Sequence, residues 1–316
     1  MRILFTGASS FTGLWFVREL GRAGHDVTAV FRRAVDEYPD ELRRERAALA
    51  SRVCRPVYGV TFGGDEFLDV VRAGEWDVLA HHAAEVTDYK SPDFDVVRGL
   101  RGNTLNLARV LDELRARGCR GVVLTGSVFE GGEGAGSEGR PDFSAYGLSK
   151  AITARVFRYY CARAGLHFGK FVVPNPFGPY EEPRYTAYLA KSWLSGEVAR
   201  CATPAYVRDN IHVSLLAKSY ARFVSELPVA PGSSRINPSG YPESQGAFTL
   251  RFAAELRKRL GVPCEVELRD QAEFVEPRVR INTDVPDARA LGFSETQAWD
   301  DLAAYYRRRF GPGGGA

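Results

Sequence analysis

Residues Thr6-Gly-Ala-Ser-Ser-Phe-Thr-Gly13 form a glycine-rich turn between a short apolar run, Arg2 to Phe5, and a helical pattern. The helical pattern places Leu14, Val17 and Leu20 on one side and closes at Gly21 and Gly24. A turn placed there is the joint of a strand–turn–helix unit. Gly7 permits the tight turn, and Gly13 lets helix and strand pack closely. The helix N-terminus offers free N–H groups and a positive dipole to a pyrophosphate. Ser10 stands where a third glycine is usual. The turn alone also describes an ordinary strand–turn–helix, so the pattern behind it has to narrow the choice.

Strand and helix signals then alternate. Val27 to Phe31 reads as a second strand, with more near Val57-Tyr58, at Asp77 to Ala80, Gly121 to Thr125 and Gly169 to Val173. Helical stretches lie between them at Glu41 to Ala50, Glu66 to Ala73, Thr104 to Ala116 and Ser149 to Ala164. This alternation predicts an α/β fold, a Rossmann-type doubly wound parallel sheet with helices on both faces. The expected dinucleotide-binding domain is 1–175 plus about 208–238. From Pro174 on, prolines and aromatics become dense, which suits a smaller, loop-rich C-terminal substrate lobe, 176–207 and 239–310. Such a lobe is expected over the sheet's carboxyl edge, where open α/β sheets bind ligands. Residues 311–316 read as a disordered tail.

Composition excludes several classes. Lys and Arg number 42 against 39 Asp and Glu, a net charge of +3, and no basic stripe is interleaved with aromatics, so nucleic acid is not an expected partner. The five cysteines are scattered without a CxxC, which reads as reduced thiols, with no metal site and no disulfide frame. The apolar start is too short for a signal peptide or a membrane span, and a cytoplasmic chain is expected.

Two further clusters carry chemistry. Tyr146-Gly-Leu-Ser-Lys150 puts a phenol and an ammonium four residues apart, on one face of a helix. An ammonium beside a tyrosine favours the phenolate, giving a proton donor or acceptor usable near neutral pH. At the end of strand two stands Phe31-Arg32-Arg33, with no acid before Asp36. Paired guanidiniums suit a ribose 2′-phosphate, which favours NADP(H) over NAD(H); two solvated arginines are the plainer reading. Asp65 is an adenine-contact candidate or a surface acid.

Together these residues resemble the extended short-chain dehydrogenase/reductase family, in particular its nucleotide-sugar epimerases, dehydratases and reductases. Thr6 to Gly13 is similar to that family's TGxxGxxG turn, and His81-His-Ala-Ala84 to its HxAA strand. Tyr146 and Lys150 resemble its catalytic pair, Pro174-Asn-Pro-Phe-Gly-Pro179 its NxYGP segment, and Arg208-Asp-Asn-Ile-His-Val213 its RDxxHV segment.

The resemblance implies the following roles. Tyr146 is the general acid/base, and Lys150 holds the nicotinamide ribose and tunes it. The hydroxyl at the reacting oxygen is Thr125, four residues before Phe129, with Ser127 a second candidate. Gly7, Ser9, Ser10, Phe11, Thr12, Gly13, Ala83, Ala84, Pro174, Asn175 and Phe177 line the cofactor. Asn175, Arg208, Asn210 and Arg280 meet the substrate, a nucleotide-diphosphate sugar; Arg208 is equally suited to an ion pair with Asp209. His212 fits a cap at a strand–helix junction better than a catalytic role. Trp193, Tyr180, Tyr185 and Tyr188 are stacking candidates or core.

The departures matter too. Gly126 and Ser127 stand where the family's dehydratases carry an acid pair, which argues against dehydration. Ser214-Leu215 replaces the aspartates that often follow HV, and Asn210 replaces an aromatic. An asparagine of the fourth helix is out of register: Gly99 or Leu100 falls there, and Asn103 is nearest. The leading expectation is NADPH-dependent reduction of a 4-keto sugar. The alternatives are a nucleotide-sugar epimerase and a non-catalytic NADPH-binding regulator. The resemblance also implies a homodimer through the helix carrying Tyr146 and Lys150 and the helix at 104–116. Leu107, Val110, Leu111, Val156 and Phe157 are compatible with an outer apolar face or with the core.

Overall fold

The computed structural model describes residues 1–136, 139 and 141–311. The tail expected at 311–316 lies, beyond Gly311, outside the described residues. The chain divides into two compact units. The first comprises 1–133, 140–173 and 217–237. Its strands are β1 (Arg2–Thr6), β2 (Asp26–Val30), β3 (Arg55–Val57), β4 (Val78–His81), β5 (Gly121–Ser127), β6 (His167–Val173) and β10 (Gly232–Ile236). They form one seven-stranded parallel sheet in the order β3-β2-β1-β4-β5-β6-β10. The order reverses at β1 and β4, so the carboxyl ends of β1, β4 and β5 are neighbours.

Six helices of this unit lie between strands: α1 (Phe11–Arg22), α2 (Glu41–Ser51), α3 (Asp65–Ala73), α4 (Val96–Asn103), α5 (Leu107–Ala116) and α6 (Ala145–Ala164). From Ala217 on, α8 (Val213–Ser225) also belongs to it. α4 escapes a reading by apolar period because Gly99 and Gly102 interrupt it; the Asp95 side chain starts it by accepting from Arg98 N at 2.9 Å. α5 begins at Leu107 rather than 104, because Asn106 takes a left-handed conformation with φ 50°. α6 begins at Ala145, not Ser149, because the Ser144 hydroxyl accepts from Gly147 N at 3.1 Å. That cap puts Tyr146 in the first turn.

One core joins the sheet to α3, α5 and α6, with Phe67, Leu79, Val122, Leu124 and Cys161 at its heart. Leu107, Val110, Leu111 and Phe157 are buried in it, and Val156 packs against it. The apolar positions offered for a dimer interface are therefore core. The exposed side of α5 and α6 instead carries Arg109, Asp112, Arg155, Arg158, Tyr159 and Arg163. A second aromatic layer includes Phe16 stacked on Tyr220 at 4.0 Å, with Phe5 and Phe171 edge-on to Tyr220.

The second unit comprises 134–139, 174–216 and 238–316. Its strands are β7 (Asn175–Phe177), β8 (Ala199–Cys201), β9 (Val207–His212), β11 (Tyr241–Ser244), β12 (Val266–Leu268) and β13 (Val279–Arg280). β9 pairs with β11 on one side and with β7 and β13 on the other; β8 and β12 form a separate parallel pair. Residues 208–216, expected with the dinucleotide domain, thus belong here, because β9 finds its partners in this unit, and 174–175 join them. Helices α7 (Tyr185–Leu194), α9 (Gln245–Leu260) and α10 (Glu295–Phe310) enclose Phe177, Trp193, Phe248, Phe252, Trp299 and Tyr306.

Candidate active site

Both glycines of the turn are required by space. Gly7 has φ +87°, and a Cβ there would lie 2.8 Å from Ala83 N. A Cβ on Gly13 would overlap the Gly7 carbonyl and lie 2.7 Å from Ser10 Oγ. Ser10, in place of the middle glycine, is the N-cap of α1: its hydroxyl donates to Gly7 O at 2.9 Å and accepts from Gly13 N at 3.1 Å. A bare backbone cradle ahead of a capped helix N-terminus fits the pyrophosphate of a dinucleotide. Phe11 is buried at the start of α1, while Thr12 faces the end of β4.

His81 ends β4 and His82 follows directly after it. The Thr6 hydroxyl accepts from His82 N at 3.2 Å and Ala83 N at 3.0 Å, and lies 3.0 Å from His81 Nδ1. His82 sits between three hydroxyls: Nδ1 is 2.9 Å from Thr125 Oγ1, and Nε2 is 3.0 Å from both Ser10 Oγ and Thr12 Oγ1. Burial, reinforced by the Lys150 ammonium, pushes the His82 pKa down to about 3, so the ring is neutral at working pH. Sequence reading passed over His82; the signal was a second imidazole where a strand end usually carries an aliphatic residue.

Lys150 is 4% exposed, and its ammonium donates to the Thr125 carbonyl at 2.6 Å. Burial lowers its pKa to about 8, against the opposing pull of Glu130. The Tyr146 ring is held edge-on by Tyr89 at 5.5 Å and Phe94 at 5.8 Å. Gly147 lets α6 approach the Phe129 carbonyl, which a Cβ would overlap. Thr125 is 5% exposed and Ser127 only partly buried. Glu130, unforeseen, is fully buried; it accepts from Ser127 N at 2.7 Å and pairs with Lys170, which also reaches Glu133 at 2.8 Å. A Cβ at Gly126 would lie 2.9 Å from Glu130 Oε1, so glycine makes room for that carboxylate.

Arg32 and Arg33 are exposed just beyond β2; among the described residues neither makes a hydrogen bond, and Arg32 attracts the Glu85 carboxylate. A third guanidinium joins the turn: Arg43 Nε lies 3.4 Å from Ser9 Oγ, with Arg43 stacked over Tyr38. Asp65 is the first residue of α3 and exposed, a position its charge suits through the helix dipole. Asn103 serves a structural role, accepting from Glu85 N at 2.8 Å.

In the second unit the substrate candidates fare unevenly. Arg208 is engaged by Glu276 at 3.0 Å and by the carbonyls of Val207, Pro277 and Arg278. Asp209, the partner expected for it, instead accepts from Gly240 N at 2.8 Å and Asn282 N at 3.1 Å. Arg280 is 1% exposed, so it is interior rather than presented to a ligand. Phe177 belongs to the aromatic core, not to a cofactor surface, and Pro174 is buried. Asn175 and Asn210 are register partners across β7 and β9. His212 caps the strand–helix junction, with Nδ1 2.7 Å from Ser214 Oγ. Trp193 is core and donates to Glu265 O at 2.8 Å; Tyr185 bonds Thr249 at 2.7 Å, Tyr188 bonds Arg200 N at 3.0 Å, and Tyr180 packs on Tyr305.

The model of the NAD dependent epimerase/dehydratase family matches residues 3–233. The chain belongs to that family. Members of the NAD-dependent epimerase/dehydratase family use a nicotinamide dinucleotide. No curated protein matches the chain. Among solved structures, it is similar to a UDP-glucose 4-epimerase from Thermotoga maritima with UDP-glucose, at 19% identity and TM-score 0.72, covering 98% of this chain and 99% of that one. A UDP-glucuronic acid 4-epimerase from Bacillus cereus, with UDP-glucuronic acid and NAD, aligns at 16% identity and TM-score 0.71, over 98% and 99%. DesIV, a dTDP-glucose 4,6-dehydratase from Streptomyces venezuelae with NAD bound, aligns at 20% and 0.69, over 97% of each chain. At these identities the likeness establishes the fold. Among the described residues no helix is long and apolar enough to cross a membrane, and no metal-binding cluster is present.

Proposed function

We propose that this chain is a nucleotide-sugar epimerase of its family, inverting a sugar carbon by removing and returning a hydride in one turnover. The carrying observation is the Tyr146–Lys150 pair in the first turns of α6, with Lys150 anchored on the carbonyl of Thr125 at 2.6 Å. When bound, the nicotinamide accepts and returns the hydride. Tyr146 takes the proton of the sugar hydroxyl and gives it back to the same oxygen. The Lys150 ammonium supports the phenolate through its charge. Glu130 supplies no acid for dehydration, since Lys170 and Ser127 N hold its carboxylate. Similarity to 4-epimerases supports this reading over net reduction, and UDP-glucose and UDP-glucuronic acid are the first substrates to try. The expected result is a 4-epimer formed with catalytic cofactor and no net change in nicotinamide absorbance. Stoichiometric NADPH oxidation by an NDP-4-keto sugar would instead support the ketoreductase.

One observation keeps that second reading alive, together with a preference for NADP(H). Arg32 and Arg33 are exposed at the end of β2, and Arg43 stands at Ser9. A hydrogen bond to a charged group contributes about 1.5–3 kcal/mol, so removing Arg32 and Arg33 together should cut the NADPH-over-NADH affinity ratio by about 10-fold or more. Titration of the Arg32→Ala/Arg33→Ala chain with both dinucleotides measures it; an unchanged ratio removes the 2′-phosphate site.

A further inference from the structure

We infer that Ser127, not Thr125, presents the hydroxyl that hydrogen-bonds the reacting oxygen, while Thr125 is committed through His82 to the phosphate turn. This assignment rests on the hydride-transfer reading above, and it follows from counting protons around one imidazole. Ser10 Oγ spends its proton on Gly7 O at 2.9 Å and accepts Gly13 N at 3.1 Å. Toward His82 Nε2, 3.0 Å away, that oxygen has only a lone pair left to offer. Nε2 therefore carries the ring hydrogen, shared with Thr12 Oγ1 at 3.0 Å. A neutral imidazole has one N–H, so Nδ1 is bare and accepts. The group it accepts from, at 2.9 Å, is the Thr125 hydroxyl, whose lone pairs remain for the neighbouring buried Tyr220 hydroxyl.

Thr125 thus has no proton left for a developing oxyanion. Ser127 lies two residues along β5, on the same side of the strand and in register with Val173. Its hydroxyl accepts from Phe129 N at 3.2 Å and keeps its proton for an outside acceptor. It is the more exposed of the two. Glu130 fixes its backbone by accepting from Ser127 N at 2.7 Å, and Lys170 holds Glu130 in turn. Glu130 and His82 are accordingly positioning residues: one steadies the donor, and the other ties Thr125 to Ser10 and Thr12.

Two measurements decide the matter separately. Long-range nitrogen–proton spectra of histidine-labelled full-length chain, with the His82 signal assigned by His82→Gln, should give the Nε2–H tautomer and no titration across the neutral range. They should also shift on Thr125→Val. An Nδ1–H tautomer would return the proton to Thr125 and overturn the assignment. In turnover, losing one such donor costs about 10²-fold or more in kcat, so Ser127→Ala should show that loss with KM changed less than about 3-fold. Thr125→Val should lose clearly less kcat than Ser127→Ala when both are saturated with dinucleotide, because its hydroxyl makes no contact with the reacting oxygen. Equal losses from both, or a larger loss from Thr125→Val, would overturn the proposal; melting midpoints and dinucleotide affinities verify that each variant folds. A wild-type chain that turns over no nucleotide sugar defeats the proposed function and Ser127's part in it, while the imidazole spectrum still decides Thr125's.

Discussion

Lys150→Met is expected to give a chain that is nearly inactive and yet, without cofactor, more stable than the parent. The ammonium is 4% exposed, and burial depresses its pKa from 10.5 to about 8. Holding it charged at pH 7 therefore costs on the order of 3 kcal/mol, the gap between those two values at 1.36 kcal/mol per pH unit. Its hydrogen bond to the Thr125 carbonyl offsets about 1 kcal/mol when lost, leaving a net gain of about 1–3 kcal/mol for methionine. The sign with pH follows from linkage. Between about 8 and 10.5 the unfolded chain binds more protons at this site than the folded one, so this group makes the parent's stability rise with pH there. Lys150→Met should abolish that rise. Urea midpoints of both chains at the two ends of that window measure it, and equal midpoints or a less stable variant would refute the cost. Turnover should fall by about 10²–10⁴-fold, the usual contribution of a tuned acid/base.

Gly13→Ala should abolish cofactor binding, although it adds a single methyl group. The new Cβ would overlap the Gly7 carbonyl, which is backbone held by the turn and unable to swing aside, and would crowd Ser10 Oγ at 2.7 Å. Relief requires opening the turn to which the proposed function assigns the pyrophosphate. Overpacking of this kind costs about 1–3 kcal/mol or more in stability, and loss of the cradle about 100-fold or more in dinucleotide affinity. Gly24→Ala is the control. Gly24 has φ +80° but nothing within 4 Å of its Cβ, so only backbone strain remains, about 1 kcal/mol, with cofactor affinity unchanged. Calorimetric titration of both variants separates the two effects; comparable dinucleotide affinity in the pair would remove the turn from the binding site.

What could be read from the chain was what depends on neighbours in sequence. The strand–turn–helix at Gly7 to Gly13 and the four-residue step from Tyr146 to Lys150 are local, and both lie where the fold needs them. What escaped depends on strand order. β4 lies between β1 and β5, and only that adjacency lets His82 reach Ser10, Thr12 and Thr125 at once. Arg43 joins the turn from α2, and Glu130 fills the space vacated at Gly126 from the loop after β5; neither pairing has a sequence period. Apolar helical residues do not say which side of the helix is outside, so Leu107, Val110, Leu111 and Phe157 fitted an interface as well as the core that buries them. Arg208 was read for a diphosphate or for Asp209, but β13 and the segment before it bring Glu276 closer.

Under the proposed function Tyr146 exchanges a proton with a sugar oxygen while hydride moves, and single-turnover mixing tests this most directly. Wild-type chain loaded with oxidised dinucleotide and mixed with UDP-glucose or UDP-glucuronic acid should develop transient reduced-nicotinamide absorbance and then the epimer. Tyr146→Phe should bind the dinucleotide with nearly unchanged affinity and slow that transient by about 10²–10⁴-fold, the contribution expected of a positioned acid/base. A Tyr146→Phe chain that forms the transient at the parent's rate would contradict it.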